Sequence, residues 1–128
     1  MSYYFSKSID ATFADALLRA KGALSAEGFG VLSEINIAAT MKAKLGADMP
    51  DYTILGACNP KLAHEALQLE DKIGLMLPCN VIVQDKGGGR VEIAAIDPVA
   101  SMLAIENAPL KQAAALVQEK LKAVIERL

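Results

Sequence analysis

The spacing of apolar residues along the chain predicts an alternation of strands and helices. Apolar and polar residues alternate over 29–37, the period of a strand with one polar-leaning face. Between Thr12 and Gly28, and again over 109–128, apolar residues recur every third or fourth position, the period of a helix. Further strands are predicted over 3–7, 52–58, 79–84 and 90–96, with an extended segment over 75–78. Further helices are predicted over 38–45, 60–69 and 98–103.

The resulting order, βαβαβαββα, predicts an α+β fold in which residues 1–128 form a single domain. Residues 85–89 read Asp-Lys-Gly-Gly-Gly and predict a tight turn, so the last two strands should form an antiparallel hairpin. A hairpin near the end of the chain favours a mixed or mostly antiparallel sheet in a two-layer fold, with helices packed on one face.

Composition and charge exclude two classes of protein and favour self-association. The 13 basic and 15 acidic side chains give a net charge of −2, which excludes a nucleic-acid binder that depends on phosphate contacts. The chain has no apolar run of about 18 residues, so no membrane segment is expected. Hydrophobic residues make up 53% of the chain, more than a small domain usually needs, and we therefore expect a symmetric homodimer.

The N-terminal residues 1–7 predict a cytoplasmic protein. They lack the basic start and the apolar stretch that a secretory signal peptide carries. Thiols stay reduced in the cytosol. Cys58 and Cys79 are therefore expected to be thiols, metal ligands or small buried residues before they are expected to form a disulfide.

The two cysteines are the most informative candidates for chemistry. Cys58 ends a predicted strand and precedes Asn59-Pro60, a pair that predicts the N-cap and first residue of a helix. The positive end of that helix would stabilise a thiolate at Cys58. Cys79, followed by Asn80, begins the next strand, and we expect the two cysteines to approach each other at one end of the sheet. The alternative is that both are inert core residues.

Three other polar side chains lie where they could contribute to a site. Glu34 and Lys42 lie near element ends, where they are ligand-binding candidates or ordinary surface charges. His64, one helical turn past the predicted cap, could join the two thiols as a third metal ligand, which would leave an open position on a zinc ion. The spacing matches no standard zinc signature, and an exposed helix position is the alternative for His64.

Two short sequences, Cys58-Asn59-Pro60 and Leu77-Pro78-Cys79-Asn80-Val81, carry a resemblance to a known family. Residues 29–98 resemble the bacterial and archaeal family named domain of unknown function 302. The resemblance implies a compact two-layer α+β fold, often dimeric, with no established activity. Family members often carry Asp where this chain has Asn36, which weakens any scheme that needs a second carboxylate beside Glu34.

Three classes of function remain open from the sequence. The first is binding of a small molecule or metal in a pocket floored by Cys58, Cys79 and Asn80, with Asn59, Glu34 and Lys42 as further contacts. The second is thiol redox or sulfur-handling chemistry, with Cys58 as nucleophile and Cys79 as resolving thiol. The third is a structural homodimer in which both cysteines are buried and inert. The sequence names no cofactor or substrate and leaves open whether the protein is an enzyme.

Overall fold

The computed structural model describes residues 2–128 and contains a five-stranded, fully antiparallel sheet in the order β1-β5-β4-β3-β2. The predicted α+β class is therefore confirmed. The strands are β1 (Tyr4–Asp10), β2 (Gly30–Asn36), β3 (Tyr52–Cys58), β4 (Cys79–Gly87) and β5 (Arg90–Ile96). The helices are α1 (Phe13–Ala26), α2 (Ile37–Leu45), α3 (Pro60–Leu69), α4 (Pro98–Ser101) and α5 (Ala108–Glu126).

The long helices α1 and α5 cover one face of the sheet. Helix α1 joins the two edge strands, β1 and β2, and on its way packs against β4 and β5. Helix α5 packs against β1, β5, α1 and α3. The core consists of the strand residues that point towards these helices, such as Leu55, Val81 and Ala95, which are paired across three neighbouring strands and fully buried. Burial of this apolar layer is what holds the helices on the sheet.

Local capping chemistry fixes where the helices begin. The Thr12 hydroxyl accepts a hydrogen bond from the backbone N–H of Asp15 at 3.1 Å, and the side-chain Oδ1 of Asn59 accepts one from the backbone N–H of Leu62 at 3.2 Å. Both residues are N-caps, and for Asn59 this confirms the prediction from the sequence. Gly28, just beyond α1, has a φ of +83°, a left-handed conformation that ends the helix and starts the turn into β2.

Residues 75–78 were predicted to be extended, and for the first two the prediction is wrong. A 3₁₀ helix covers Asp71–Met76. The cause is tertiary, because Ile73 is fully buried against Met102 and Leu110 and so requires a turn at this point. The run of apolar residues after Ile73 does not distinguish this turn from an extended segment.

Strand β2 departs from the half-buried strand that its alternating pattern predicts. It lies at the edge of the sheet, the register shifts between Val31 and Ser33, and every residue of the strand is exposed. The shift is a bulge that leaves Leu32 outside the regular pairing, so the two-residue period no longer selects a single face. Within residues 2–128, no helix combines the length and the apolar character that a membrane-spanning helix needs.

We expect Gly56→Ala to destabilise the protein by about 1–2 kcal/mol. An added Cβ at position 56 would lie 2.8 Å from Cγ of Pro78 and closer still to the hydroxyl of Ser33, so the proline ring would have to shift. Gly22→Ala in α1 is the matched control, because nothing lies within 4 Å of its added Cβ. That variant should gain about 0.5–1 kcal/mol in urea unfolding. Equal effects at both positions would contradict the close packing around Gly56.

Candidate functional site

A cavity of about 280 Å³ lies between the helix-covered face of the sheet and helices α3 and α5. It forms where β3 ends and β4 begins, because the last residues of β3 and the first of β4 lie side by side in the antiparallel register. Ala57 and Cys79, paired across the two strands, contribute to its floor. The helices contribute mainly small and aliphatic side chains: Leu62, Ala63, Ala66 and Leu67 from α3, and Leu110, Ala113, Ala114 and Val117 from α5.

The cavity lining is almost entirely hydrocarbon. Among the described residues that line it, none carries a charge, and the polar groups are the Asn59 amide and the thiols of Cys58 and Cys79. The amide oxygen of Asn59 is already engaged in capping α3. An ionic ligand would therefore lose its hydration without gaining a partner, whereas an uncharged apolar molecule would bury its surface at no such cost.

The structure places both cysteines at the same end of the sheet. Cys79 pairs with Ala57, so Cys58 is one residue past the position opposite Cys79. Both are free thiols and both line the cavity. Cys58 directly precedes the cap of α3 and is half-buried, whereas Cys79 is buried. A molecule in the cavity would contact sulfur at this end and hydrocarbon elsewhere.

The two thiols differ in their surroundings. Burial, and after it the charge of the neighbouring Cys58, raises the pKa of the Cys79 thiol to about 11. At neutral pH Cys79 is therefore protonated and uncharged, and it fits an apolar wall without the cost of desolvating an anion. The same shift makes Cys79 a poor nucleophile, because the thiolate is the reactive form.

Asn80, which the sequence places in the same pocket as the cysteines, does not line this cavity. Successive residues of a strand point to opposite faces. Because Cys79 faces the helices, Asn80 faces away from them; it lies opposite Gly56 in the register and is exposed. The sequence places Asn80 beside Cys79 in the chain, but the pleat of β4 separates their side chains.

Glu34 and Lys42 are not brought to the cavity either. Glu34 forms an ion pair with Lys21 of α1, and Lys42 forms one with Asp48 at 2.8 Å. Both pairs are at the surface, where they contribute little to stability. The surface-charge interpretation of these two residues agrees with their positions.

His64 does not join the cysteines as a third metal ligand. It is exposed on α3, and its neighbours Leu62, Ala63 and Ala66 line the cavity while His64 does not. His64 follows Leu62 by two residues, so the two side chains point in directions that differ by roughly 200° about the helix axis. In the part of the chain that the structure describes, no group of three or more His, Cys, Asp or Glu side chains is placed to hold a metal ion.

About a third of the cavity lining comes from the C-terminal part of the chain and was not predicted from the sequence. Pro98 and Met102 of the α4 region, and Leu110 and Val117 of α5, line the cavity. The apolar stripe of the last helix was the available signal. A stripe of this kind indicates burial, but it does not indicate whether the buried side chains meet other side chains or line a cavity.

Comparisons with known proteins agree with this fold. The family model described as "Domain of unknown function DUF302" matches residues 5–128, well beyond the 29–98 of the sequence resemblance. The crystal structure of an uncharacterised conserved DUF302 protein from Bacillus stearothermophilus superposes with a TM-score of 0.90 at 26% sequence identity. The alignment covers 99% of this chain and 98% of that one. No curated protein matches the chain.

Proposed function

The chain belongs to the domain of unknown function DUF302 family, and on that premise we propose that this member binds a small, uncharged, apolar molecule in the cavity beside Cys58 and Cys79. The observation that carries the proposal is the cavity itself, about 280 Å³ in volume and without a charged residue among those described in its lining. This is near the lower end of the volumes common for small-molecule sites. The ligand would be an alkyl chain or an aromatic molecule of up to three rings.

Two leucines indicate how such a ligand would enter. Leu32, in the bulge of β2, and Leu67, on α3, both line the cavity although they are 69% and 42% exposed. Side chains that touch both the cavity and solvent lie at its opening. Apolar side chains at an opening favour an apolar ligand, because each contact removes hydrocarbon surface from water. The favourable free energy is roughly 25 cal/mol per Å² of surface removed.

The neutral fluorophore N-phenyl-1-naphthylamine tests the proposal. We expect it to bind with a saturable rise in emission, and Ala63→Phe to weaken that binding by about tenfold or more, because the added ring occupies the cavity. Ala115→Phe is the matched control, since Ala115 is on the exposed side of α5 and outside the lining. Equal affinity in both variants, or no saturable binding to the wild-type protein, would contradict the proposal.

A thiol–disulfide role is the second candidate, and the presence of both free cysteines in one cavity lining supports it. The raised pKa of Cys79 weighs against it, because a protonated thiol neither attacks nor leaves readily. The rates at which the two thiols are alkylated separate the two candidates, because a thiol–disulfide role requires a reactive thiolate.

We also propose that the protein is a homodimer in which a second copy covers β2 and α2. None of the residues in these two elements is buried. The exposed residues include three large apolar side chains, Leu32, Ile35 and Leu45. Strand β2 is also a sheet edge, with one row of backbone groups outside the sheet. A second copy arranged about a two-fold axis would present the same strand and the same apolar residues in return.

We expect the wild-type protein to run at twice its chain mass of 13.5 kDa in size-exclusion chromatography with light scattering at high micromolar concentration. The interface should bury on the order of 1,000 Å² or more. Ile35→Lys should shift the protein to the monomer mass, because a lysine on an edge strand opposes pairing. Leu18→Lys, at an exposed position of α1, is the control and should leave the mass unchanged. A monomeric wild-type protein would refute this part of the proposal.

A further inference from the structure

All three tyrosines of the chain line one depression on the sheet face that points away from the cavity. Tyr3 directly precedes β1, Tyr4 is the first residue of β1, and Tyr52 is the first residue of β3. The depression has a volume of about 340 Å³, and Ile82 and Ala94 contribute to its floor. The rings of Tyr3 and Tyr4 stand edge to face, with centroids 5.1 Å apart and planes at 69°, so they form two walls of a corner.

The lining of this depression carries a negative charge. Glu92 is the charged residue of the lining, and Asn80 and Gln84 supply neutral amides. The cross-strand neighbours of Glu92 are Gln84 and Ser8, both uncharged. Over residues 2–128, the ion pairs of the structure do not include Glu92. The depression therefore combines aromatic rings with a carboxylate that forms no ion pair within the described residues.

We propose that this depression binds a small organic cation that carries a quaternary ammonium group. The faces of aromatic rings are electron-rich and attract such a cation, and the carboxylate of Glu92 supplies the opposite charge. The apolar floor suits the methyl groups of the cation, which form no hydrogen bonds. An anionic ligand would be repelled by Glu92, and a neutral sugar would make no use of its charge.

The composition of the chain provides a direct assay. The protein has no tryptophan, so its intrinsic emission comes from the three tyrosines that line the depression. Titration with choline chloride should change this emission saturably at constant ionic strength. The uncharged isostere 3,3-dimethyl-1-butanol should produce no saturable change. Choline should also leave bound N-phenyl-1-naphthylamine in place, because the cavity lies on the other face of the sheet; this outcome separates the two sites.

Glu92→Gln should raise the choline dissociation constant about tenfold or more, because it removes the charge and keeps the shape. Glu65→Gln, an exposed carboxylate on α3, is the matched control and should bind choline like the wild type. The proposal is overturned if choline gives no saturable change, if the neutral alcohol is as effective, or if Glu92→Gln binds as tightly as the wild type. Tyrosine emission that follows protein concentration and ignores choline would instead assign this face to a second copy of the chain.

Discussion

Iodoacetamide is expected to alkylate Cys79 at pH 7 about a hundredfold more slowly than it alkylates a cysteine in a short peptide. The raised pKa of about 11, compared with an ordinary value of 9.0, lowers the thiolate fraction by about that factor. Burial of the side chain restricts access and slows the reaction further. The Cys58→Ser protein isolates this rate, because the chain has only two cysteines.

The Cys79→Ser protein provides the matched measurement on Cys58. Cys58 is half-buried at the N-terminal end of α3, and we expect it to react faster than Cys79. A role for Cys58 as nucleophile requires more, namely a rate above that of a free thiol near pH 7. If Cys79 reacted at the peptide rate, its burial in the cavity lining would be contradicted and the thiol–disulfide candidate would gain support.

The bounds of the strands next to the site are predicted well from the sequence, because they are set by residues close to each strand end. Strand β3 begins at Tyr52 and ends at Cys58 as predicted, because Asn59 and Pro60 then favour the start of a helix. Strand β5 is likewise bounded by the glycine-rich turn before it and by Asp97-Pro98 after it. Turn and cap residues act within a few positions of themselves, so a single sequence contains the information that they use.

The residues that line the site are harder to predict from the sequence, because the lining depends on the packing of segments that are distant in the chain. Cys58 and Asn59 line the same cavity as residues of α5 about 50 residues later in the chain, and no local sequence pattern predicts that arrangement. Glu34 of β2 forms an ion pair with Lys21 of α1, so its carboxylate is at the surface and not in the cavity. The face of a residue at a strand end, such as Asn80, also depends on the register of its neighbours, which is set by the whole sheet.

The cavity has a physical origin that the sequence reveals only in part. Alanines at positions 63, 66, 113 and 114 line it from α3 and α5, and an alanine presents a single methyl group to the space between two elements. Larger side chains at these positions would fill the space as core. The high alanine content of the two helices is visible in the sequence, but it predicts helix formation equally well. Only the packing of α3 beside α5 shows that these methyl groups face a common space.

The stability of the folded protein is expected to fall by about 2 kcal/mol between pH 9 and pH 11 through Cys79 alone. Below pH 9 the thiol is protonated in both the folded and the unfolded states, so it contributes no pH dependence. As the pH rises through 9.0 the unfolded chain loses this proton, while the folded protein keeps it until the pH reaches about 11. The slope in favour of the unfolded state is steepest near pH 10, where it approaches about 1.4 kcal/mol per pH unit, and it is about half of that at pH 9 and pH 11.

Urea unfolding of the wild type and of Cys79→Ala at pH 8 and pH 11 measures this contribution, because the difference between the two proteins isolates the substituted side chain. The stability advantage of the wild type over Cys79→Ala should shrink by about 2 kcal/mol across the interval. The Cys58→Ala protein should keep most of the decline, since burial is the larger cause of the shift at Cys79 and the Cys58 charge the smaller. A constant difference between the wild type and Cys79→Ala would mean that water reaches the Cys79 sulfur, and the cavity wall would then be more polar than its lining residues indicate.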